Sequence, residues 1–253
     1  MRAFLKKELK EILRTYRLWA VPVLFLFLGL MAPASTKFLP EILKPQLRAQ
    51  GISITLPKMG AVAAYQAYFK NLTQIGLLAV ILFSMSLISE EKAGGVLAQV
   101  VTKPISRPAI VLAKWLVHGG WFVVSLAVGA ISCYFYTVGL FGKAPAGAFA
   151  AANLIFAVYI LFIFSLTLAA GAVLRSQVAA SVVSLAGFSA LSLLSFFSRW
   201  SARYSPASLN DHAVNVVLGR AGPVDAIWPM LITAALGAAL LAGGIFIFDR
   251  QEL

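Results

Sequence analysis

The sequence has 253 residues, of which 60% are hydrophobic and only 12% are charged, and its mean hydropathy is +0.88. A single soluble core cannot bury so large an apolar fraction, so the composition indicates a polytopic membrane protein. The net charge of +12 would suggest nucleic-acid binding in a soluble domain. Most basic residues here flank apolar runs, where they contact lipid headgroups and set orientation, so membrane lipid is the expected partner and nucleic acid is not.

The N-terminal segment, residues 1–17, predicts an amphipathic helix that lies on the membrane surface. Its apolar face consists of Phe4, Leu5, Leu9, Ile12 and Leu13. Its basic residues, which fall elsewhere on the helix, are Lys6, Lys7, Lys10, Arg14 and Arg17. This basic segment, the apolar run from Leu18 and the triplet Ala32-Pro33-Ala34 also resemble a signal peptide, but the patterned basic segment favours an interfacial helix.

Six apolar segments reach spanning length, which takes about 20 residues for a hydrocarbon core of about 30 Å. They lie near residues 18–35, 71–89, 109–138, 148–174, 178–197 and 226–248. The sequence thus predicts an all-α fold with one membrane domain over residues 1–253. An even number of spans puts both termini on one side, and with that side inside, 12 of the 21 lysines and arginines are cytoplasmic. Both termini are therefore expected in the cytoplasm.

Two segments outside the membrane are large on this topology, residues 36–70 and 198–225. In the first, five apolar residues at helical spacing predict a helix that leads into the second span. They are Ala61, Tyr65, Tyr68, Phe69 and Leu72. In the second, Gly222-Pro223 predicts a break, and Asp225 is the expected N-cap of the last span.

Two helix faces carry small or polar residues. In the fifth predicted span, one face carries Ser181, Ser184, Ser192 and Ser195, interrupted by Phe188. This hydroxyl-lined face fits either close helix packing or a substrate path, and packing is favoured. In the sixth, Ala235, Ala239 and Gly243 form a row of small residues, which is typical of close packing against another helix.

The sequence contains few candidates for catalytic or metal chemistry. It has no G-x-x-x-x-G-K-[ST] phosphate loop, so this chain is not expected to hydrolyse ATP by itself. His118 and His212 lie on different segments without a thiol or carboxylate cluster, so no metal site is predicted. No Ser-His-Asp or paired-carboxylate arrangement predicts a catalytic site. Near the membrane interior only Lys114 and His118 carry charge, close to the inner end of the third span, which counts against an ion relay.

The segment after the second span breaks the apolar pattern. Glu90, Glu91 and Lys92 must lie in water, because a charged residue costs about 2.5–3.5 kcal/mol at the centre of a spanning helix. An amphipathic helix is then expected until Pro104 ends it. Its apolar face consists of Ala93, Val96, Leu97, Val100 and Val101. By pattern alone this short helix fits either a lipid surface or a protein groove.

The stretch EEKAGGVLAQVVTKPISRPAIVLAK, residues 90–114, resembles the cytoplasmic segment of ABC-transporter permeases of the type 2 exporter family. That family commonly has an acidic residue, a glycine, an apolar helical face, a Pro-Ile/Val-Ser-Arg motif and an apolar run that ends in lysine. The matching residues are Glu90 or Glu91, Gly94, Leu97, Pro104, Ile105, Ser106, Arg107 and Lys114. The closing residues Phe248 to Leu253 are similar to the short tail of the family.

The resemblance implies the permease subunit of an ATP-driven exporter in a bacterial or archaeal cytoplasmic membrane. Such a permease pairs with a second copy or a paralogue and binds separate ATPase subunits, which supply ATP and Mg²⁺, so this chain itself needs no cofactor. The segment after span two would then be the coupling helix. Its docking residues would be Glu90, Glu91, Val96, Leu97, Val100, Val101 and Arg107. Two alternatives are a transporter that works without an ATPase and a membrane-bound enzyme or assembly factor that acts on lipid-linked substrates.

Overall fold

The computed structural model describes residues 2–49, 60–93, 107–174, 176–197 and 203–251. Every regular element within these ranges is helical. In chain order the α-helices are α1 (Arg2–Arg14), α2 (Arg17–Ala49), α3 (Ala61–Asn71), α4 (Leu77–Ser84), α5 (Ser86–Ala93), α6 (Arg107–Phe141), α7 (Ala146–Val173), α8 (Gln177–Phe197), α9 (Ser208–Val217) and α10 (Ile227–Asp249). A π-helical turn, Leu72–Gly76, joins α3 to α4, and a 3-10 turn, Pro223–Ala226, precedes α10.

Long apolar helices dominate this part of the chain and confirm the prediction of an all-α, polytopic membrane protein. Five helical stretches are long and apolar enough to cross a bilayer. They are Leu18–Ile42, Ala61–Ser89, Pro108–Phe141, Ala146–Val173 and Pro223–Asp249. The other predicted span, residues 178–197, falls on α8, where the described apolar stretch Gln177–Leu193 is shorter. The count of six spans therefore stays a prediction.

The N-terminal helix α1 forms as predicted, but its apolar residues divide between two surroundings. Phe4 and Ile12 are buried against the protein, whereas Leu9 and Leu13 are more than half exposed. The stripe that faces the protein also carries Glu8, because residues four apart lie on the same side of a helix. The helix thus packs on the bundle along one stripe and leaves a second apolar stripe on the outside.

The first spanning helix is longer than the sequence pattern suggested. The predicted span ended at residue 35, whereas α2 continues to Ala49 and its apolar stretch to Ile42. Polar residues that signalled the end of the span have partners within the bundle. Thr36 Oγ1 donates to Ala32 O at 2.8 Å, and Lys37 Nζ donates to Leu140 O at 3.3 Å. Since Leu140 lies in the last turn of α6, Lys37 also satisfies one of the carbonyls that a helix end leaves free.

The helix expected to lead into the second span is continuous with it. The apolar helical stretch begins at Ala61, which confirms the lead-in helix, while the start of the span at residue 71 stays a prediction. All five residues that predicted this helix are buried. The ring of Tyr65 stacks on that of Phe149 with centroids 3.9 Å apart, so α3 is held against the start of α7 by aromatic packing.

Helix α7 occupies the centre of the bundle. Its residues are apolar on all sides, which is the pattern of a helix surrounded by other helices, and most of them are buried. It packs against α4, α5, α6, α8, α9 and α10. The packing includes a polar bond in which Trp115 Nε1 of α6 donates to Ser165 Oγ of α7 at 2.8 Å. The central helix therefore supports the helices on both sides of the predicted docking segment.

Helices α2 and α6 touch through their backbones at two glycines. A Cβ atom on Gly29 would lie 2.3 Å from Gly129 O, and one on Gly129 would lie 2.7 Å from Phe25 O. Backbone atoms cannot move aside as side-chain ends can, so even one methyl group at either position separates the helices. Small residues at such a crossing are typical of helix association within membranes.

Gly129→Ala is therefore expected to lower the stability of the detergent-solubilised protein by about 1–3 kcal/mol, the usual cost of overpacking. Gly139→Ala on the same helix is the matched control, since a Cβ there meets nothing within 4 Å. Alanine should stabilise the helix at that position by up to about 1 kcal/mol. Thermal unfolding of both variants measures the effect, and equal midpoints would contradict the close crossing.

The prediction that Asp225 is the N-cap of α10 is wrong. The N-cap is Ala226, which makes no side-chain bond. Asp225 Oδ2 instead accepts the Gly222 N–H at 2.8 Å, so the carboxylate closes the 3-10 turn before the helix. The sequence pattern did not reveal that a 3-10 turn, Pro223–Ala226, lies between Gly222 and the first residue of α10.

The row of small residues on α10 lies on the outside of the chain. Ala235 and Ala239 are exposed, and a Cβ on Gly243 would meet nothing within 4 Å. Against α7 the helix instead uses Gly237 and Gly244, and a Cβ on Gly244 would lie 2.9 Å from Ala169 Cα. The expected close packing of the predicted row is thus not made within the described part of this chain.

Candidate functional site

The predicted docking segment begins on α5 and ends at the start of α6. Glu90 and Glu91 lie in α5, which continues as a helix to Ala93, so the charged residues do not interrupt the helix that ends the second span. Arg107 is the first residue of α6. The apolar docking residues Val96, Leu97, Val100 and Val101 lie outside the described residues, and their helix stays a prediction.

Several helix ends meet where this segment leaves the bundle. A Cβ on Gly171, near the end of α7, would lie 3.5 Å from Ser89 Oγ of α5. Gln251, which follows α10, donates from Nε2 to Val173 O at 2.8 Å and so satisfies a terminal carbonyl of α7. The end of α5 and the residue that follows α10 therefore both lie against the end of the central helix α7.

A buried ion cluster lies near the start of α6. Lys114 Nζ is 3.2 Å from each carboxylate oxygen of Glu8, and His118 Nε2 is 3.4 Å from Glu8 Oε2. Glu8 is fully buried, Lys114 is 1% exposed and His118 is 5% exposed. Within the described ranges these are the buried residues with acidic or basic side chains. The cluster joins α1 to α6, because Glu8 comes from one helix and both bases from the other.

Opposing effects act on the charge of Glu8. Burial by itself raises the pKa of a carboxyl group, whereas the hydrogen bond from His118 and the positive charge of Lys114 lower it. The partners outweigh burial, so the pKa of Glu8 lies below its ordinary value and the group is a carboxylate at neutral pH. A charged carboxylate beside a lysine is the arrangement that makes a buried pair tolerable.

Sequence reasoning singled out Lys114 and His118 but missed Glu8. The two bases stand out because they interrupt an apolar run four residues apart, whereas Glu8 lies among many charged residues of α1. A signal was nevertheless present, since Glu8 is placed four residues from both Phe4 and Ile12 and thus shares their buried stripe. An acid on the apolar stripe of a basic helix indicates a partner base elsewhere in the fold.

The serine face of α8 is partly turned into the bundle. Ser184 is fully buried and Ser181 nearly so, while Ser192 is half-buried and the side chain of Ser195 lies outside the described residues. Ser181 Oγ donates to Val178 O at 2.8 Å, Ser184 Oγ to Ala180 O at 2.7 Å and Ser192 Oγ to Phe188 O at 3.0 Å. Hydroxyls bonded to their own helix permit close helix packing, so this geometry is the one that the packing interpretation requires.

Side chains that could bind a metal are not grouped in the described part of the chain. No cluster of three or more His, Cys, Asp or Glu residues occurs there. Cys133 is buried in α6, with its Sγ 4.0 Å from Thr137 Oγ1. Its environment is that of a small core residue.

Comparison with known proteins adds an independent line of support for the resemblance carried by residues 90–114. A family model described as ABC-2 family transporter protein matches residues 2–253. The chain is also 26% identical over 226 residues to an uncharacterized transmembrane protein, YxlG, of Bacillus subtilis strain 168, with 86% of this chain and 85% of that protein covered. The similarity thus extends over almost the whole length and is not confined to the docking segment.

Proposed function

This chain belongs to the ABC-2 transporter family and is a permease of an ABC transporter, and we propose that it is the membrane subunit of an ATP-driven exporter. The family match over residues 2–253 is the observation that carries the proposal. The amphipathic pattern of residues 93–103 supports it, since that stretch falls in the sequence between α5 and α6. The segment is proposed to act as the coupling helix, which receives the movement of the ATPase subunit.

The proposal assigns ATP hydrolysis to separate subunits. This sequence has no phosphate loop, so ATP and Mg²⁺ are expected to bind the partner ATPase. A second permease copy, or a paralogue, would complete the transport path. The exposed row Ala235, Ala239 and Gly243 on α10 is compatible with contact to a second membrane helix.

Purification in mild detergent tests the proposal. The tagged chain should retain a protein with a phosphate loop, identified by mass spectrometry, and the purified pair in nanodiscs should hydrolyse ATP. A catalytic-lysine variant of that protein should abolish hydrolysis while the two proteins still copurify. If the chain retains no ATPase, or if substrate moves across vesicles without ATP, the proposed ATP-driven exporter is wrong.

Both termini are proposed to lie in the cytoplasm, and cysteine labelling of intact cells checks this orientation. In a Cys133→Ala background, single cysteines at Ser53 and Arg220 should react with an impermeant thiol reagent, and one at Ala98 should react only after the cells are opened. Arg220 is exposed and is thus a suitable external position. Labelling of position 98 but not of position 53 from outside would show the opposite orientation.

The serine face of α8 is retained as a proposed part of the substrate path, and Ser184→Leu distinguishes the path from packing. Because Ser184 is fully buried, leucine there is expected to lower stability by about 1–3 kcal/mol if the position only packs. Ser192→Leu, at a half-buried position, is the matched comparison. Thermal unfolding measures stability, and a Ser184→Leu protein that unfolds like the unsubstituted one yet no longer transports would support the path.

A further inference from the structure

The Glu8, Lys114 and His118 cluster involves the first turns of α6, the helix that follows the proposed coupling segment in sequence. Arg107 starts α6 directly after that segment, and Lys114 follows seven residues later, which is about 10 Å along a helix at about 1.5 Å per residue. His118 is one turn further on the same side of α6. A displacement of the start of α6 therefore reaches the cluster through two turns of unbroken helix.

The contact between α1 and the bundle has an apolar and an ionic part, and the two differ in how they resist movement. Phe4 and Ile12 are buried apolar side chains, whose attraction has no direction and persists when one helix slides along another. The carboxylate of Glu8 is different, because sliding would separate it from the two bases of α6, and breaking a buried ion pair is strongly unfavourable. The ion pair thus fixes the register and the roll of α1 on α6, which apolar contacts alone do not.

We propose that Glu8 and Lys114 are positioning residues that make α1 and the start of α6 a single moving unit, so that a displacement of the coupling segment is carried to the interfacial helix. This inference rests on the proposed function, because it takes the ATPase as the source of the displacement. It assigns α1 an active part in the transport cycle, in addition to lying on the membrane.

Distances between spin labels test this coupling. In a Cys133→Ala background, cysteine pairs are placed at Leu13 on α1 and Leu154 on α7, and at Leu116 on α6 and Leu154. All three positions are exposed. The permease is studied in nanodiscs with its copurified ATPase, with and without ATP. In the unsubstituted cluster, ATP should shift both distances together.

The double variant Glu8→Gln with Lys114→Met removes both charges while keeping similar volume. It should retain the ATP-dependent shift of Leu116 but lose the shift of Leu13. Lys114→Arg alone, which keeps the charge, should retain both shifts, and Lys10→Gln, at an exposed position of α1, should leave both unchanged. A general loss of structure would not remove the ATP-dependent shift of Leu13 while the shift of Leu116 remains.

Three outcomes would overturn the inference, and they separate it from the proposed function. If the double variant keeps the Leu13 shift, the ion pair does not carry the movement. If the unsubstituted protein shifts Leu116 but not Leu13, α1 is not part of the moving unit, although the exporter proposal stands. If ATP shifts neither distance while the bound ATPase hydrolyses ATP, no displacement reaches α6 and the inference falls, whereas the exporter proposal is decided separately by copurification and by ATP-dependent transport.

Discussion

Leu97→Asp is expected to abolish ATPase copurification and ATP-dependent transport while the membrane helices still insert. Leu97 lies in the segment between α5 and α6, away from the five apolar stretches that can cross the bilayer. On the proposed topology a charge there stays outside the hydrocarbon core and should not affect insertion. It would, however, place a carboxylate in the apolar groove of the ATPase that the apolar face is proposed to occupy.

The size of the effect follows from the burial of the apolar face. Full burial of a valine or leucine side chain is worth about 1.5–3 kcal/mol, and a buried carboxylate without a partner costs considerably more than the lost leucine contributed. A loss of about 4 kcal/mol already lowers affinity roughly a thousandfold. On a lipid surface the same face would be only shallowly inserted, so the substitution would have a much smaller effect.

Gln99→Glu is the matched control, because position 99 lies away from the apolar face and also receives one negative charge. Copurification, quantified from membranes with equal permease content, should remain at the unsubstituted level for this variant. If Leu97→Asp retained full ATPase binding and transport, the coupling-helix assignment would have to be abandoned. The family membership would be unaffected, since it rests on the match over the whole chain.

Glu8→Gln is expected to destabilise the protein by about 3–5 kcal/mol, the usual cost of removing one member of a buried ion pair. The substitution leaves Lys114 charged at a position that is 1% exposed. The double variant Glu8→Gln with Lys114→Met should recover most of the loss, because replacing both members of such a pair is often neutral. Thermal unfolding in detergent gives the order of stability of the three proteins.

Lys10→Gln serves as the control for this series, since an exposed residue of the same helix should change stability by no more than about 0.5 kcal/mol. Equal unfolding midpoints for Glu8→Gln and the unsubstituted protein would show that the pair contributes little to stability. Equal midpoints for the single and double variants would contradict the expected recovery.

The pH dependence of stability follows from the lowered pKa of Glu8. The stabilising contribution of its carboxylate is fully present above the ordinary glutamate pKa, and it is lost as the pH falls through the lowered value.

Continuous apolar runs made the centre of the fold predictable from sequence. The predicted span 148–174 matches α7 to within two residues at its start and one at its end, because no charged residue interrupts this apolar run. The length of α2 was not predicted, because Thr36 and Lys37 resemble the end of a helix until their acceptors are known. Asp225 was misassigned for a related reason, since a turn and a helix start share the same sequence signals.

Long-range contacts explain what the sequence did not show at the candidate site. Glu8 and Lys114 are 106 residues apart, and nothing in the periodicity of either helix indicates that they meet. The row on α10 shows the same limit, since its small residues predicted packing against another helix but lie on the outside of this chain, so the packing stays a prediction. A helical pattern identifies which side of a helix is special, whereas the identity of the neighbour depends on how all helices assemble.

The prolines of α2 give this helix an uneven stiffness. Pro22, Pro33, Pro40 and Pro45 lie within it, and each removes one backbone hydrogen bond to the preceding turn. Pro33 releases the carbonyl of Gly29, the residue at which α2 presses against α6. The part of α2 that follows the glycine crossing therefore has fewer backbone hydrogen bonds than an uninterrupted helix, and proline is a usual site of helix bending. We expect this part of the first span to bend more easily than the part before Gly29, while the glycine crossing with α6 remains intact.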